Sequence, residues 1–339
     1  MSDSKRLREA LAKIAEIAGN ASEDSSGNNG KEPHDHDAND YGCTLKTLPN
    51  ELLEEAARNA VEINPVNAPV FGPLGAVGAA SDAIADPLSI AVLTSKYWGP
   101  FPRRLSVSFM ESTPSDLRAR IILHLNAWNR TAGISFVQTQ GVGEVRISRG
   151  GGGYYSYLGT DIRLIPQNRQ TMNLQGFTMS TPESEFKRVI RHEAGHTLGF
   201  PHEHMRKELV ARIDREKAYE YFFRTQGWSR QVVDQQVLTP LNDATIFGTP
   251  ADQDSIMCYQ LPGSITRDGQ PIRGGRDINQ SDFTFAGRIY PRPGFGQSST
   301  QRRATGRWSP SEQQYSQEQG EAGEYEVSPN FDFEYTVQN

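Results

Sequence analysis

The sequence has few cysteines and no long apolar run. Its 339 residues include only two cysteines, which are too few for a disulfide scaffold and lack the paired spacing of a thiolate zinc site. No segment reaches the roughly 18 apolar residues of a membrane span, and the first 30 residues contain no apolar core of signal-peptide length. The sequence alone therefore predicts a soluble chain without a classical export signal.

An excess of basic charge is also missing. The net charge of -6 and the pI near 5.7 exclude a general attraction to nucleic acid or to anionic membrane surfaces. Small-molecule, peptide or protein partners are expected instead. The hydrophobic fraction of 36% and the mean hydropathy of -0.60 are low for a fully packed chain, so part of it is expected to be disordered.

Composition divides the chain into four segments. Residues 1–42 are polar and aperiodic, and residues 297–339 are dominated by Ser, Gln, Gly and Glu, so both are predicted to be disordered. Residues 43–95 combine a helical pattern over 50–63 with a linker rich in Gly, Ala and Pro, as expected for a prosegment ahead of a main domain. Residues 96–296 form that domain.

Strand and helix patterns are mixed within the main domain, which predicts an α/β or α+β fold. Alternation predicts a strand over 104–109, and helical spacing predicts a helix over 115–128. A long helix over 181–198 begins with proline and acidic residues in its first turn. Further short strands are predicted at 134–137, 144–148, 161–165 and 171–178.

Three histidines and a glutamate lie at and just beyond the end of this long helix, in the sequence HEAGHTLGFPH. On a helix, His192 and His196 lie one above the other on the same face, so their imidazoles can converge on one ion. Glu193 reaches the water bound to such an ion. Gly199 can take the left-handed conformation that ends a helix and brings His202 back as a third ligand. Three protein ligands leave one zinc position open, which is typical of a catalytic site.

The extended sequence HEAGHTLGFPHEH resembles the signature of the metzincin zinc proteases, and Glu203 after the third histidine resembles the astacin family in particular. Two later segments, RIDRE from Arg212 and SIMCY from Ser255, also resemble astacins. The resemblance implies a metzincin-like fold, in which a twisted mixed sheet packs on a long zinc-binding helix and a C-terminal Met-turn subdomain follows. It also implies a zinc-dependent endopeptidase with one catalytic Zn²⁺ and a peptide or protein substrate.

The resemblance assigns further roles around the zinc. It implies that Met257 forms an apolar floor beneath the histidines, and that Tyr259 is a fifth, displaceable ligand whose phenol swings to the oxyanion. It implies that Glu203 binds the mature N-terminus in a buried ion pair after a prosegment is removed. Astacins are usually secreted and carry two disulfides, whereas this chain has only Cys43 and Cys258. The location is therefore open between secretion, an intracellular site and non-classical export.

The mechanism follows from the site. Zinc activates a water molecule, and Glu193 takes its proton and passes it to the leaving amine. An extended substrate is expected to pair with an edge strand, for which 171–177 is favoured and 161–165 is the alternative. The alternative function is a catalytically silent zinc- and peptide-binding relative.

Two further residues that can bind a metal, Cys43 and His204, lie outside this set of three ligands. Cys43 could supply a thiolate to the open zinc position and keep a precursor latent, could form a disulfide with Cys258, or could be a free thiol. His204 would close the site as a fourth ligand, so it is expected beside the site or at the surface. Substrate preference and oligomeric state are left open.

Overall fold

The computed structural model describes residues 43–68, 95–241 and 250–292. The segments predicted to be disordered, 1–42 and 297–339, and most of the predicted linker lie outside these ranges. Within them, no helix is long and apolar enough to cross a membrane.

Six strands form a mixed sheet within the described residues. They are β1 (Cys43–Lys46), β2 (Arg103–Phe109), β3 (Ile134–Gln138), β4 (Val145–Ser148), β5 (Tyr154–Tyr157) and β6 (Met172–Leu174). Their order across the sheet is β1-β5-β6-β4-β2-β3. Every neighbouring pair is parallel except β5 and β6, which are antiparallel. The alternating apolar residues of β2 and the β-branched residues of β3 and β4 suit a pleated surface that is buried on one or both faces.

The helix that carries the zinc motif, called here the active-site helix, has three consecutive parts. Glu183–Glu185 is α-helical, Phe186–Ile190 is a π-helical turn, and Arg191–Thr197 is α-helical. π-Helical turns inside α-helices are rare and occur often at functional sites. The other helices are α1 (Asn50–Ile63), α2 (Ser115–Leu125), α3 (Lys207–Val210), α4 (Arg215–Gln226), α5 (Arg230–Val233) and α6 (Gln280–Ile289).

Three apolar clusters hold these elements together. In the main core, the sheet, α2, the active-site helix and α6 meet through buried side chains such as Leu105, Ile121, Ile147, Phe186 and Ala286. Elements that follow the active-site helix form a second cluster, which includes Ile213, Phe222, Val237 and Leu261. A smaller cluster joins α1 to the rest through Leu48, Leu52, Ala56 and Ile165. The predicted mixed α/β architecture is confirmed.

The strand predicted at 161–165 is wrong. Gly159–Leu164 is a 3₁₀-helix. Ile162 in this helix and Ile165 just after it are both buried. They are three residues apart, which is one turn of a 3₁₀-helix, so both side chains lie on the same face. Asp161 is also buried, 3.5 Å from the Lys96 ammonium, so the apparent apolar-polar alternation does not reflect a solvent-facing strand.

The prediction that residues 171–177 form the edge strand that pairs with a substrate is also wrong. The strand there is only Met172–Leu174, and β6 lies between β4 and β5 rather than at an edge of the sheet. The sequence gives no alternation at Tyr154–Tyr157, which directly follows a glycine run, so β5 was not predicted. Its run of tyrosines has high strand propensity and is the signal that could have identified it.

Candidate metal centre

The active-site helix ends in a glycine turn that reverses the chain. Gly199 has a φ of 92°, in the left-handed region. The Gly199 N–H donates to the carbonyl of His196 at 2.8 Å, and the Phe200 N–H donates to that of Gly195 at 3.0 Å. This pair of hydrogen bonds is the Schellman arrangement, in which the last carbonyls of a helix are satisfied. The reversal brings His202 back against His196.

Four potential ligand atoms converge beside this turn. The ligating atoms of Cys43, His192, His196 and His202 all lie within 4.8 Å of one another, so the group could hold a metal ion. The Nε2 atoms of His196 and His202 are 3.1 Å apart. Two nitrogens bound to one tetrahedral zinc at the usual bond length lie about 3.4 Å apart, so the spacing fits that ion. His192 Nε2 is buried and has no hydrogen-bond partner.

Backbone carbonyls orient two of the imidazoles. His192 Nδ1 lies 2.6 Å from the carbonyl oxygen of Ile256, and His196 Nδ1 lies 2.8 Å from that of Phe200. Because a carbonyl can only accept, each Nδ1 carries the proton and each Nε2 keeps its lone pair for a metal. Burial lowers the pKa of His192 to about 4 and holds the pKa values of His196 and His202 well below their usual range. The imidazoles are therefore neutral, which is the form that binds metals.

A turn over residues 255–258 lies under the active-site helix. A Cβ atom at Gly195 would lie 2.3 Å from the Met257 sulfur, so the thioether packs directly against the helix backbone between the two histidines. The Asp282 carboxylate accepts from the Ile256 N–H at 2.9 Å and fixes the turn. The same turn supplies the Ile256 carbonyl that orients His192.

Glu193 is a fully buried carboxylate beside the histidines. Neither of its oxygens has a hydrogen-bond partner of ordinary geometry, although the Cys43 thiol and the Arg188 guanidinium lie close enough to influence it. Burial raises the pKa of Glu193 to about 8, and Cys43 and Arg188 offset part of that increase. Burial and the nearby Glu193 also hold the pKa of Cys43 well above its usual value. A divalent cation in contact would reverse this for the thiol, because a coordinating thiol is deprotonated.

His204 and Tyr259 extend the site on one side. His204 is buried rather than at the surface, and its ring lies 5.0 Å from that of His202 and 5.6 Å from that of Tyr259. Its Nε2 hydrogen-bonds to the carbonyl of Gln236 at 3.0 Å. The half-buried Tyr259 ring lies 6.4 Å from that of His202. Tyr259 and His204 are therefore both beside the histidine cluster, and the Nε2 of His204 is bound to the Gln236 carbonyl.

Glu203 lines a pocket that borders the 255–258 turn. Tyr97, Arg206, Asp252 and Asp282 contribute to the same pocket. The Glu203 Oε1 accepts from the Asp252 N–H at 3.2 Å, and burial raises the pKa of Glu203 to about 7. The pocket thus concentrates carboxylates that are partly shielded from water.

The N-terminal strand β1 lies next to the histidines, between β5 and the Gln236 side chain, and the space that it occupies is called here the groove. Cys43 pairs with Tyr154 of β5 and Leu45 pairs with Ser156, in parallel register. On the opposite side of β1, the Gln236 side-chain amide accepts from the Leu45 N–H and donates to the Leu45 carbonyl, both at 3.1 Å. Nothing in the sequence around Gln236 distinguishes it from other polar helical residues, so this contact was not predicted.

A hydroxyl pair joins β5 to the active-site helix. The Ser156 and Thr197 hydroxyls are 3.0 Å apart, and both are buried. Thr197 directly follows His196, so β5 lies immediately beside the histidine cluster. It is β5, therefore, and not β6, that borders the groove.

The two cysteines are free and buried. Cys43 lies among the histidines, whereas Cys258 belongs to the second apolar cluster. The alternative of a disulfide between them is therefore wrong for this structure.

Comparisons with known proteins point to one family. The family model for astacin, peptidase family M12A, matches residues 93–270, which is more than half of the chain. No curated protein matches. Two structures of myroilysin are similar to this chain, and each match has 30% sequence identity and covers 58% of this chain. The first match covers 96% of the myroilysin chain with a TM-score of 0.55. The second covers 87% of the myroilysin chain with a TM-score of 0.46.

A more distant structural neighbour is high choriolytic enzyme 1, a hatching enzyme zinc-protease from the medaka fish Oryzias latipes. It shares 22% identity over 56% of this chain and 90% of its own, with a TM-score of 0.39. The family match covers strands β2 to β6, the active-site helix, the three histidines and the 255–258 turn, whereas β1 lies outside it. The chain belongs to the astacin family of peptidases, family M12A.

Proposed function

We propose that this chain is a zinc-dependent endopeptidase whose ion is held by His192, His196 and His202. The observation that carries the proposal is the convergence of neutral imidazole nitrogens beside the fully buried carboxylate of Glu193. A zinc ion in such a site supplies Lewis acidity, because it polarises a carbonyl and acidifies a water molecule.

The residues around the ion would move the protons and stabilise charge. Glu193 takes a proton from water and delivers it to the leaving amine. Its burial directly beside the ligand His192 places the carboxylate where it can exchange a proton with a water molecule in the site. Tyr259 would serve as a displaceable ligand of the ion and would donate a hydrogen bond to the developing oxyanion, a contribution of about 10²–10³ in kcat in other enzymes. Met257 would support the histidines by packing against the helix backbone at Gly195, between His192 and His196.

Zinc content tests the ligand set. We expect one zinc ion per full-length chain, and we expect His202→Gln to lower zinc affinity by about a hundredfold or more, because one of the few coordinate bonds is lost. The matched control is His204→Gln, which should keep its zinc because His204 Nε2 already bonds to the Gln236 carbonyl. Metal analysis and zinc competition measure both. Retention of zinc by His202→Gln would contradict this ligand set.

Activity tests the reaction itself. The full-length protein, after limited proteolysis to activate it, is expected to cleave casein, to lose this activity with a chelator and to regain it with zinc. An activated protein that contains zinc but cleaves no peptide would favour the silent relative. A protein that binds no zinc would contradict both.

The N-terminal segment 43–68 would keep the full chain latent. Cys43 presents its sulfur to the three histidines, and thiolate is a strong zinc ligand. β1 also occupies the groove beside β5, where a substrate strand would pair. Asn67 holds the end of the segment: its Nδ2 donates to the Tyr97 carbonyl at 2.8 Å, and its Oδ1 accepts from the Tyr97 N–H at 3.0 Å.

Replacing the cysteine tests this latency. Full-length Cys43→Ser is expected to be at least about tenfold more active than the full-length wild type, since a loss of about 1.4 kcal/mol of inhibitory binding has that effect. After replacement of zinc by cobalt, the wild type should show a thiolate-to-cobalt absorption band that Cys43→Ser lacks. Cys258→Ser, the control, should resemble the wild type in both assays. Equal latency and equal spectra for Cys43→Ser would rule out the thiolate as the blocking ligand.

Glu203 would act after processing. A new N-terminal ammonium group formed by removal of the prosegment would enter the pocket that Glu203 shares with Asp252 and Asp282. An opposite charge there would offset the desolvation that raises the pKa of Glu203.

A further inference from the structure

We propose that the side-chain amide of Gln236 binds the backbone of a peptide substrate, at one residue, on the side of the groove opposite β5. The inference rests on the proposed endopeptidase function and names a substrate-binding residue for it. It starts from β1, the extended strand that already lies in the groove between β5 and Gln236.

β1 shows how an extended chain is held in this groove. In a strand, the N–H and the carbonyl of one residue point to the same side, and those of the next residue point to the other side. Both polar groups of Leu45 bond to the Gln236 amide, so at this residue they face away from β5. One glutamine amide can donate and accept at once, and so it replaces a neighbouring strand at a single residue.

Other contacts hold the backbone of Gln236 independently of β1. It lies in the π-helical turn Asp234–Leu238, which continues α5. The Tyr219 hydroxyl donates to the Asp234 carboxylate at 2.7 Å, and His204 bonds to the Gln236 carbonyl. The His204 ring also contacts that of His202, so the position of Gln236 is coupled to the histidine cluster. These contacts hold the backbone of Gln236, and so they keep its side chain within reach of another chain that replaces β1.

The contact has a defined effect on specificity. Leu45 is two residues beyond Cys43, whose sulfur faces the histidines, so the substrate residue bound by Gln236 lies about two residues from the scissile bond. An amide that binds N–H and carbonyl groups does not discriminate between side chains. It does require a backbone N–H, so proline and N-methylated residues are disfavoured at that one position.

A backbone scan of a peptide substrate tests the inference. The full-length, zinc-loaded protein is activated by limited trypsin treatment, and an eight-residue substrate is altered by replacing each backbone N–H in turn, except that of the scissile bond, with an ester oxygen. Esters facing β5 should impair cleavage by the wild type and by Gln236→Met alike. The ester that removes the N–H bound by Gln236 should lower kcat/KM of the wild type by about tenfold, mainly through KM. The same ester should leave kcat/KM of Gln236→Met unchanged.

The all-amide substrate gives a second readout. Gln236→Met, which keeps the size of the side chain but cannot hydrogen-bond, should cleave it with a KM about tenfold higher and a similar kcat. Gln235→Met, an exposed neighbour in the same turn, is the control and should behave as the wild type. If Gln236→Met does not fold, Gln236→Leu, which also lacks both the donor and the acceptor, should show the same loss of ester sensitivity.

The outcomes separate the two proposals. An active wild type whose ester profile is unchanged by both Gln236 variants would overturn the role of Gln236 and leave the endopeptidase function intact. A wild type without zinc-dependent cleavage would overturn the endopeptidase function and, with it, this inference.

Discussion

Replacement of Glu193 by glutamine is expected to lower kcat by about 10³–10⁴-fold while the zinc content remains at one ion per chain. Glutamine has nearly the same shape as glutamate but cannot take a proton from water. Glu193 is fully buried beside the three histidines and its carboxylate has no ordinary hydrogen-bond partner, so its oxygens remain available to exchange a proton with water. The loss should therefore appear in kcat rather than in metal binding.

Peptide cleavage and metal analysis on the same preparations measure this effect. Glu183→Gln is the matched control, since Glu183 is an exposed residue in the first turn of the same helix and should have little influence on kcat. Equal activity of Glu193→Gln and wild type would remove Glu193 from the mechanism. Equal and negligible activity of both would instead favour the silent zinc- and peptide-binding relative.

Replacement of Gly275 by alanine is expected to lower the free energy of unfolding by about 3 kcal/mol and to weaken zinc binding. A Cβ atom at this position would lie 2.2 Å from the carbonyl oxygen of Ser255 and 2.6 Å from the nitrogen of Ile256. These are backbone atoms of the 255–258 turn, so they cannot move aside as a flexible side chain would. The turn also supplies the carbonyl that orients His192, which is why metal binding should suffer with stability.

Urea unfolding and zinc competition test this expectation. Gly151→Ala is a suitable control, because a Cβ atom there would have no neighbour within 4 Å, and its effect should stay within about 0.5 kcal/mol. If Gly275→Ala were as stable as Gly151→Ala and bound zinc equally well, the close packing of Gly275 on the turn would be refuted.

Much of the histidine site could be predicted from the sequence because its geometry is local. The separation of His192 and His196 by four residues defines a shared helix face, and a glycine three residues later is enough to predict a reversal. The structure does place His202 beside them, with Gly199 in the left-handed conformation. Short-range geometry of this kind depends little on the rest of the fold.

The border of the groove could not be predicted in the same way. Leu45 and Gln236 are 191 residues apart, and their contact depends on how β1 enters the sheet. Strand order is a long-range property, so alternation near residue 171 could suggest a strand but not its neighbours. The 3₁₀-helix at Gly159–Leu164 was misread for a related reason, since the partner that buries Asp161 is Lys96, far away in sequence.

The contact between Gly195 and Met257 has a consequence for how this site can diverge. The sulfur of Met257 occupies the space that any side chain at 195 would need. A larger residue at 195 therefore requires the Met257 thioether either to move aside or to be replaced by a smaller side chain, and substitutions at the two positions are expected to be strongly non-additive. In the evolutionary record of close relatives, positions 195 and 257 should consequently change together, although 62 residues separate them in the chain.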